Sequence, residues 1–527
     1  MLKERIQTIT TESRRFLVRW IQLLHSVPDV DLISYLPFFL DGLFKMLSDK
    51  ADDMRDSARA CLSELLETVK DTARDWEEAK NTGVLIQTDS QKGEGDNPET
   101  TDFPIVRQVK HQGFVTPPKI QYRSIVEILL KHADSASETI TLTALQWLND
   151  FVIFGKEDVL PDGPTLLSII LRQRSNANRY IEAQARRTNS SLTSLMKSLK
   201  FEDNLKEWQD KIAPLVSISQ PLPTKSAALK WVENFIGQGV LKQSDDLSAD
   251  LSKAILSLLY DPEEEILTHV IQISANLSQS DEHFSLLIKN FLAIIKQHGS
   301  DVQRTTTIIK KLTKFHSPEK ILRVISLILE GEEDIQFTCS FIQILNLILL
   351  TSTELSSVRD TIKDLKTKED KDLFIVLYRS WCHNEMAVFS LCLLAQAYEH
   401  ATHLVLQLSQ FEVNIETMKQ IDKLVNLIES PIFLYLRMQL LEPGKYPFLY
   451  KALYAILMLL PQSAAFDILR NRLNSMSNMG ELMLVHKSAL QGLPQPNDIN
   501  WEELLNRFIE VKKMHHELII KERIEKE

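Results

Sequence analysis

Glycine is scarce in this chain, with 14 residues in 527. Tight turns and phosphate-cradling loops both lean on glycine, so the shortage favours helices over a sheet-rich enzyme. Cysteine is scarcer still. Cys61, Cys339, Cys382 and Cys392 include no C-x-x-C pair and are too sparse for a disulfide framework. They read as free buried thiols in a reducing compartment. Positive charge is in deficit, with a net charge of −11, which argues against nucleic acid as a partner. Long hydrophobic runs are absent too. "LYAILMLL" (Leu453–Leu460) is far short of the ~18 residues of a spanning helix. The start, "MLKERIQTIT", has no apolar signal core, and Leu2 stands where myristoylation needs glycine. A cytoplasmic protein is expected, its membrane contact peripheral or through partners.

Catalytic layouts are missing as well. No G-x-x-x-x-G-K-[ST] occurs. Gly93 and Gly95 begin a G-x-G, but Pro98 replaces the third glycine. No G-x-S-x-G is present. Glu67, Leu345, Val388 and Tyr398 stand six residues after the cysteines, so there is no C-x5-R phosphatase loop. His515 and His516 precede Glu517, but Ile520 breaks any H-E-x-x-H. The stretch "WCHNEMAVFSLCLLAQAYEHATH" (Trp381–His403) gathers Cys382, His383, Cys392, His400 and His403. Compact zinc sites use close ligand pairs, and C-x9-C with H-x2-H does not supply two of them. Cys392 lies on a helical apolar stripe with Phe389, Leu393 and Ala397, so the inside of a helix pair is the better reading. A hydrolytic site built on Cys382 and His383 lacks an orienting group and an oxyanion site. No enzyme, cofactor or metal is expected.

What is present is helical periodicity. Leu2, Ile6, Ile9, Phe16, Trp20 and Leu24 make one stripe. In "YLPFFLDGLFKMLSDKADDMRDSARACLSELLETV", Pro37 opens a helix lined by Leu40, Leu43, Phe44 and Leu47. A turn at Ser48-Asp49 leads to a second stripe of Met54, Ala58, Cys61, Leu62, Leu65 and Leu66. This is the layout of a HEAT-type unit. It recurs at Ser124–Val152, around Asp261-Pro262 and around Glu330–Asp334, with weaker copies at Thr165–Met196 and Phe284–Leu312. Such pairs bury their apolar faces only by stacking, so the expected fold is all-α, an α-solenoid of HEAT/armadillo-like helix pairs. The expected organisation is HEAT-like units over 1–81, a mobile, dispensable loop over 82–119 and a solenoid over 120–350. A distinct helical region over 351–480 and a linker with a charged helix over 481–527 follow. The helix from Trp501 either projects or docks back.

The last third carries a more specific pattern. "LLTSTELSSVRDTIKDLKT", "LFIVLYRSWCHN", "SLCLLAQAYEHA", "DKLVNLIESPIFLYLRMQLLE" and "YKALYAILMLLPQSAAFDILRNRL" follow in that order. The set resembles the C-terminal region of the Vac-fourteen family. Upstream, "RFLVRWIQLLHSVPDVDLISYLPFFLDGLFKMLSD" and "TLTALQWLNDFV" resemble that family's HEAT units. The resemblance implies a non-catalytic scaffold of the PIKfyve-type complex that makes and turns over phosphatidylinositol 3,5-bisphosphate. Its implied partners are a FYVE-domain phosphatidylinositol 3-phosphate 5-kinase, a Sac-type phosphoinositide 5-phosphatase and further copies of itself. The implied location is vacuolar or late endosomal membrane. Family members have further HEAT units before "WIQLLHSVPD", so the resemblance implies a member lacking them or a shortened form. The alternative is a generic HEAT-repeat trafficking adaptor or transport receptor.

Candidate contact residues follow from chemistry. Tyr378, Arg379, Ser380, Trp381 and His383 form a polar-aromatic cluster of the kind that anchors interfaces, or else a buried corner. Arg437 sits among apolar neighbours, serving an interface or pairing with Glu429 or Glu442. Tyr446, Phe448, Tyr450 and Tyr454 precede an apolar run, as a self-association surface or as core. Lys363, Lys366, Lys368 and Lys371 alternate with acids and read as a solvated face.

Overall fold

The computed structural model describes residues 11–27, 30–81, 120–198, 205–241, 247–299, 301–408, 415–442, 444–483 and 499–526. The loop expected over 82–119 lies outside the described residues. Among the described residues every regular element is an α-helix or a short 3-10 turn. The chain divides into two compact units, Met1–Asp261 and Pro262–Glu527.

The first unit holds α1 (Thr11–His25), α2 (Leu36–Met46), α3 (Asp52–Asn81), α4 (Tyr122–Ala133) and α5 (Glu138–Gly155). It continues with α6 (Gly163–Gln173), α7 (Arg179–Ser198), α8 (Leu205–Ile212), α9 (Leu222–Gly237) and α10 (Ala249–Ser257). Pro37 stands in the first turn of α2, where its missing N–H costs no hydrogen bond. Phe39, Leu40, Leu43 and Phe44 form the buried stripe of α2, and Met54, Ala58, Cys61, Leu62 and Leu65 that of α3. The turn between them is closed from two sides. Arg55 donates to the Asp49 carbonyl at 3.0 Å, and Arg14 meets the Asp49 carboxylate at 2.6 Å. Helices then pack on their second neighbours: α1, α3, α5 and α7 form one row, α2, α4, α6 and α8 the other. That two-row stack is an α-solenoid of HEAT-like pairs.

The second unit holds α11 (Glu264–Leu277), α12 (Asp281–His298), α13 (Val302–Leu312), α14 (Pro318–Glu330) and α15 (Ile335–Thr351). Next come α16 (Ser356–Asp364), α17 (Lys368–Trp381), α18 (Glu385–Leu394), α19 (Tyr398–Leu408) and α20 (Ile415–Ile428). It ends with α21 (Leu434–Gln439), α22 (Pro447–Leu459), α23 (Ala464–Met483) and α24 (Trp501–Lys526). One row runs α11, α13, α15, α18, α20, α23. The other contains α12, α14 and α17, then α19 and α22. Helix starts are set locally. Ser280, Asp301, Ser317, Asp334, Thr367 and Asn384 each accept a hydrogen bond from an amide of the turn they precede.

Two helix ends are closed by arginine. Arg359 donates to the Leu349 and Ser352 carbonyls at 2.8 and 2.6 Å. Arg437 donates to the Ile428 and Ser430 carbonyls at 2.7 and 2.9 Å. In both, a serine, a 3-10 turn and then the arginine follow the helix, so the guanidinium reaches back to carbonyls left unpaired at a helix end. The alternative of an ion pair is not what Arg437 forms: Glu429 is bound by Arg472 and Glu442 by Lys445.

Among the described glycines of the first unit, Gly163 has the least room. A Cβ there would lie 2.5 Å from the Trp208 ring, which is fully buried and stacked on Trp231 at 5.8 Å. Gly163→Ala is therefore expected to destabilise the chain by ~1–3 kcal/mol through overpacking. Gly237→Ala, where nothing lies within 4 Å, should be close to neutral. Chemical denaturation of the two variants checks this; equal midpoints would contradict it.

Candidate interaction site

The cluster around Trp381 is built by α17. A capping box starts this helix: Thr367 Oγ1 accepts from the Asp370 amide at 3.1 Å, and the Asp370 carboxylate accepts from the Thr367 amide at 2.8 Å. From that start, Phe374, Leu377, Tyr378 and Trp381 fall on the inner face, and all four are fully buried. The Tyr378 hydroxyl lies 2.8 Å from His400 Nε2 on α19. Burial drives the Tyr378 phenol well above its usual range and His400 down to about 4, so both are neutral near pH 7. Trp381 Nε1–H donates to Asn346 Oδ1 at 3.4 Å, and the Ser390 hydroxyl donates to the same oxygen at 2.8 Å. Tyr378 and Trp381 are thus a buried corner rather than an open surface.

What covers that corner is α24. It docks back across the junction of α17 and α19 and packs against both. Its buried stripe is Leu504, Phe508, Val511 and Lys512. Trp501 sets its ring edge-on to Phe374 at 5.7 Å and packs on His400 at 5.0 Å. Lys512 Nζ meets Glu385 Oε1 at 2.5 Å with only 8% of the lysine exposed, and the Thr417 hydroxyl donates to the other Glu385 oxygen at 3.1 Å. His383 Nδ1 lies 3.3 Å from His515 Nε2. Burial first, then the nearby cations, push both rings down: His383 to about 4 with Arg507 and Lys512 close by, His515 to about 3 with Lys512 close by. At the rim, Arg379 pairs with Glu503 at 3.5 Å beside a shallow cleft lined by Glu330, Asn500, Glu502 and Arg507. Of the five cluster residues, only Arg379 reaches solvent substantially.

The candidate metal ligands are scattered. Cys382 and Cys392 are fully buried with thiols pushed far above their usual range by burial, whereas His403 is exposed. Such thiols remain protonated and unreactive. Among the described residues no three His, Cys, Asp or Glu side chains converge as metal ligands would.

The second aromatic group lies on and beside α22. Tyr446 packs edge-on against Tyr398 at 6.3 Å, and the Phe448 carbonyl accepts from Thr402 at 3.2 Å. Tyr446, Phe448 and Tyr450 are half-buried. Tyr450 stacks on Tyr454 at 6.0 Å, and Tyr454 and Met458 are 44% and 72% exposed. The outward face of α22 is therefore Tyr450, Tyr454 and Met458, at four-residue steps. Of the four aromatics Tyr446, Phe448, Tyr450 and Tyr454, that face holds Tyr450 and Tyr454, and the same spacing adds Met458.

A family model described as the vacuolar protein 14 C-terminal Fig4p-binding region matches residues 300–476. The Protein VAC14 homolog of Arabidopsis thaliana is 35% identical over 484 residues, covering 90% of this chain and 58% of that protein. The Schizosaccharomyces pombe Protein VAC14 homolog is 33% identical, covering 98% of this chain and 66% of that protein. This chain belongs to the Vac14 family. A further relative, the Vacuole morphology and inheritance protein 14 of Saccharomyces cerevisiae, is 28% identical over 99% of this chain and 66% of its own length. The chain thus spans between 58% and 66% of the lengths of these Vac14 relatives. Among the described residues no single helix is long and apolar enough to cross a membrane.

The histidine pair makes the docking of α24 pH-dependent. Both folded-state values lie below the ordinary 6.5, so the undocked state binds more protons between about pH 6.5 and about pH 4. Docking is fully supported above that window and weakens as pH falls through it. Hydrogen exchange of α24 amides, corrected for intrinsic rates, should accelerate between pH 7 and pH 5. His383→Gln combined with His515→Gln should flatten the dependence. An equal pH response in the double variant would show that other groups set it.

Proposed function

We propose that this chain is a non-catalytic scaffold subunit that assembles the enzymes controlling phosphatidylinositol 3,5-bisphosphate. The observation that carries this reading is the family match over 300–476, which runs from just before α13 into α23 along the stack of the second unit. In this reading that region receives a Sac-type phosphoinositide 5-phosphatase. A FYVE-domain phosphatidylinositol 3-phosphate 5-kinase joins the same assembly, and so do further copies of this chain. A scaffold of this kind needs no reactive group. Holding opposing enzymes on one body raises their mutual effective concentration without new chemistry. The buried, protonated state of Cys382 and Cys392 is consistent with that role. The name of the Saccharomyces cerevisiae relative, a vacuole morphology and inheritance protein, supports a vacuolar location in this reading, with the chain at the membrane peripherally or through its partners.

Self-association is assigned to the outward face of α22. An apolar patch on a helix late in its row is a surface that a second copy can cover. Aromatic anchors at an interface centre commonly cost more than ~2 kcal/mol on truncation. Tyr454→Glu with Met458→Glu is expected to dissociate the oligomer while helical content stays intact, since both residues are exposed. Light scattering and circular dichroism read this. An intact oligomer would place the contact elsewhere. Affinity purification of the unaltered chain tests the assembly as a whole: recovery of neither a phosphoinositide phosphatase nor a phosphoinositide kinase would overturn the scaffold reading.

A further inference from the structure

The bed beneath α24 has features of an exchangeable contact. Its two walls, α17 and α19, lie inside the matched region 300–476, whereas α24 lies outside it. The helix belongs to neither row of the stack; it is laid across one row at a joint. Its buried face mixes Leu504, Phe508 and Val511 with a buried cation, a neutral histidine and a rim ion pair. Two donors on that face, Trp501 Nε1–H and Arg507 Nε–H, are buried without an acceptor among the protein's own groups.

We infer that the groove between α17 and α19 is a docking site for an amphipathic helix, occupied in cis by α24 and taken over by a helix of the phosphatase when that partner binds. This rests on the proposed reading of the region as a phosphatase-binding surface. The groove specifies its occupant chemically. Phe374 and His400 form a bed for an aromatic ring at one end, where Trp501 now sits. The apolar middle receives side chains at the spacing of Leu504, Phe508 and Val511. Glu385, held by Thr417, requires a cation eleven residues after the aromatic, where Lys512 now sits. The incoming helix therefore carries an aromatic residue, an apolar stripe and a lysine or arginine in that order.

Hydrogen exchange on the unaltered chain tests this without any substitution. Saturating purified Sac-type phosphatase should speed exchange of α24 amides at least tenfold while α17 and α19 stay protected. Retained protection of α24 in a formed complex overturns the inference but leaves the phosphatase reading intact. A second arm uses Phe508→Glu. Cys382, fully buried in the unaltered chain, should then react with N-ethylmaleimide at least tenfold faster, and the phosphatase should bind about tenfold tighter. A synthetic peptide of residues 499–518 should reverse both effects. Faster thiol labelling with unchanged or weaker phosphatase binding means that α24 is removable but is no competitor. Failure of the phosphatase to bind any form, checked by light scattering, removes the reading on which the inference rests, and the inference with it.

Discussion

A helix with one apolar stripe cannot be covered by a single partner when that stripe is wide. It needs a paired helix beside it and neighbours above and below. That requirement orders both units of this chain into two rows of second neighbours. It also explains why so much sequence is spent on helix ends. Each pair reverses direction within a few residues, so the unpaired amides and carbonyls of every turn must be met at once. Serine, aspartate, threonine and asparagine meet the amides at the starts of α12 to α15, α17 and α18. Arg359 and Arg437 meet the carbonyls at two ends, and each does so from a position seven residues beyond a serine.

The joint of α17 and α19 shows what happens where such a stack buries polar groups. Tyr378, His400, His383 and Glu385 all need partners once water is removed. Tyr378 and His400 partner each other across the joint. Glu385 accepts from Thr417 on α20 but meets its cation, Lys512, in α24, where His383 also meets His515. Removing one member of a buried pair leaves the other charge or dipole stranded, which costs more than the pair contributes. The joint therefore accepts either α24 or something that imitates it. An empty groove is the least favourable of its states.

Much of this was legible in the sequence, for a physical reason. Proline or aspartate at a turn and apolar residues at three- and four-residue steps are local signals, and α2, α3, α14 and α15 fall where those signals place them. The burial of Cys392 was legible for the same reason. Three features were not. Tyr378 and Trp381 have the chemistry of an interface anchor and of a core corner alike, and only the approach of α15 and α19 decides between them. The role of Arg437 depends on carbonyls of the preceding helix, and a side chain's reach to backbone has no sequence signature of its own. The stripe of α24 tells which of its faces is buried but not what it is buried against, because that contact joins residues more than 100 positions apart.

The cis position of α24 sets the terms on which any partner can use the groove. A segment tethered to its own docking site competes at an effective concentration near the millimolar range. A free helix of equal chemistry, present at micromolar levels, does not displace it. Displacement requires that the incoming protein make further contacts outside the groove, so that its helix too arrives as a tethered segment. The groove then contributes little net affinity, since one occupant replaces another of similar chemistry. What it contributes is a condition: the groove changes hands only for a partner that already grips the stack elsewhere between residues 300 and 476. Selectivity at the groove then resides in the combination of contacts, which a body of stacked helices is built to supply.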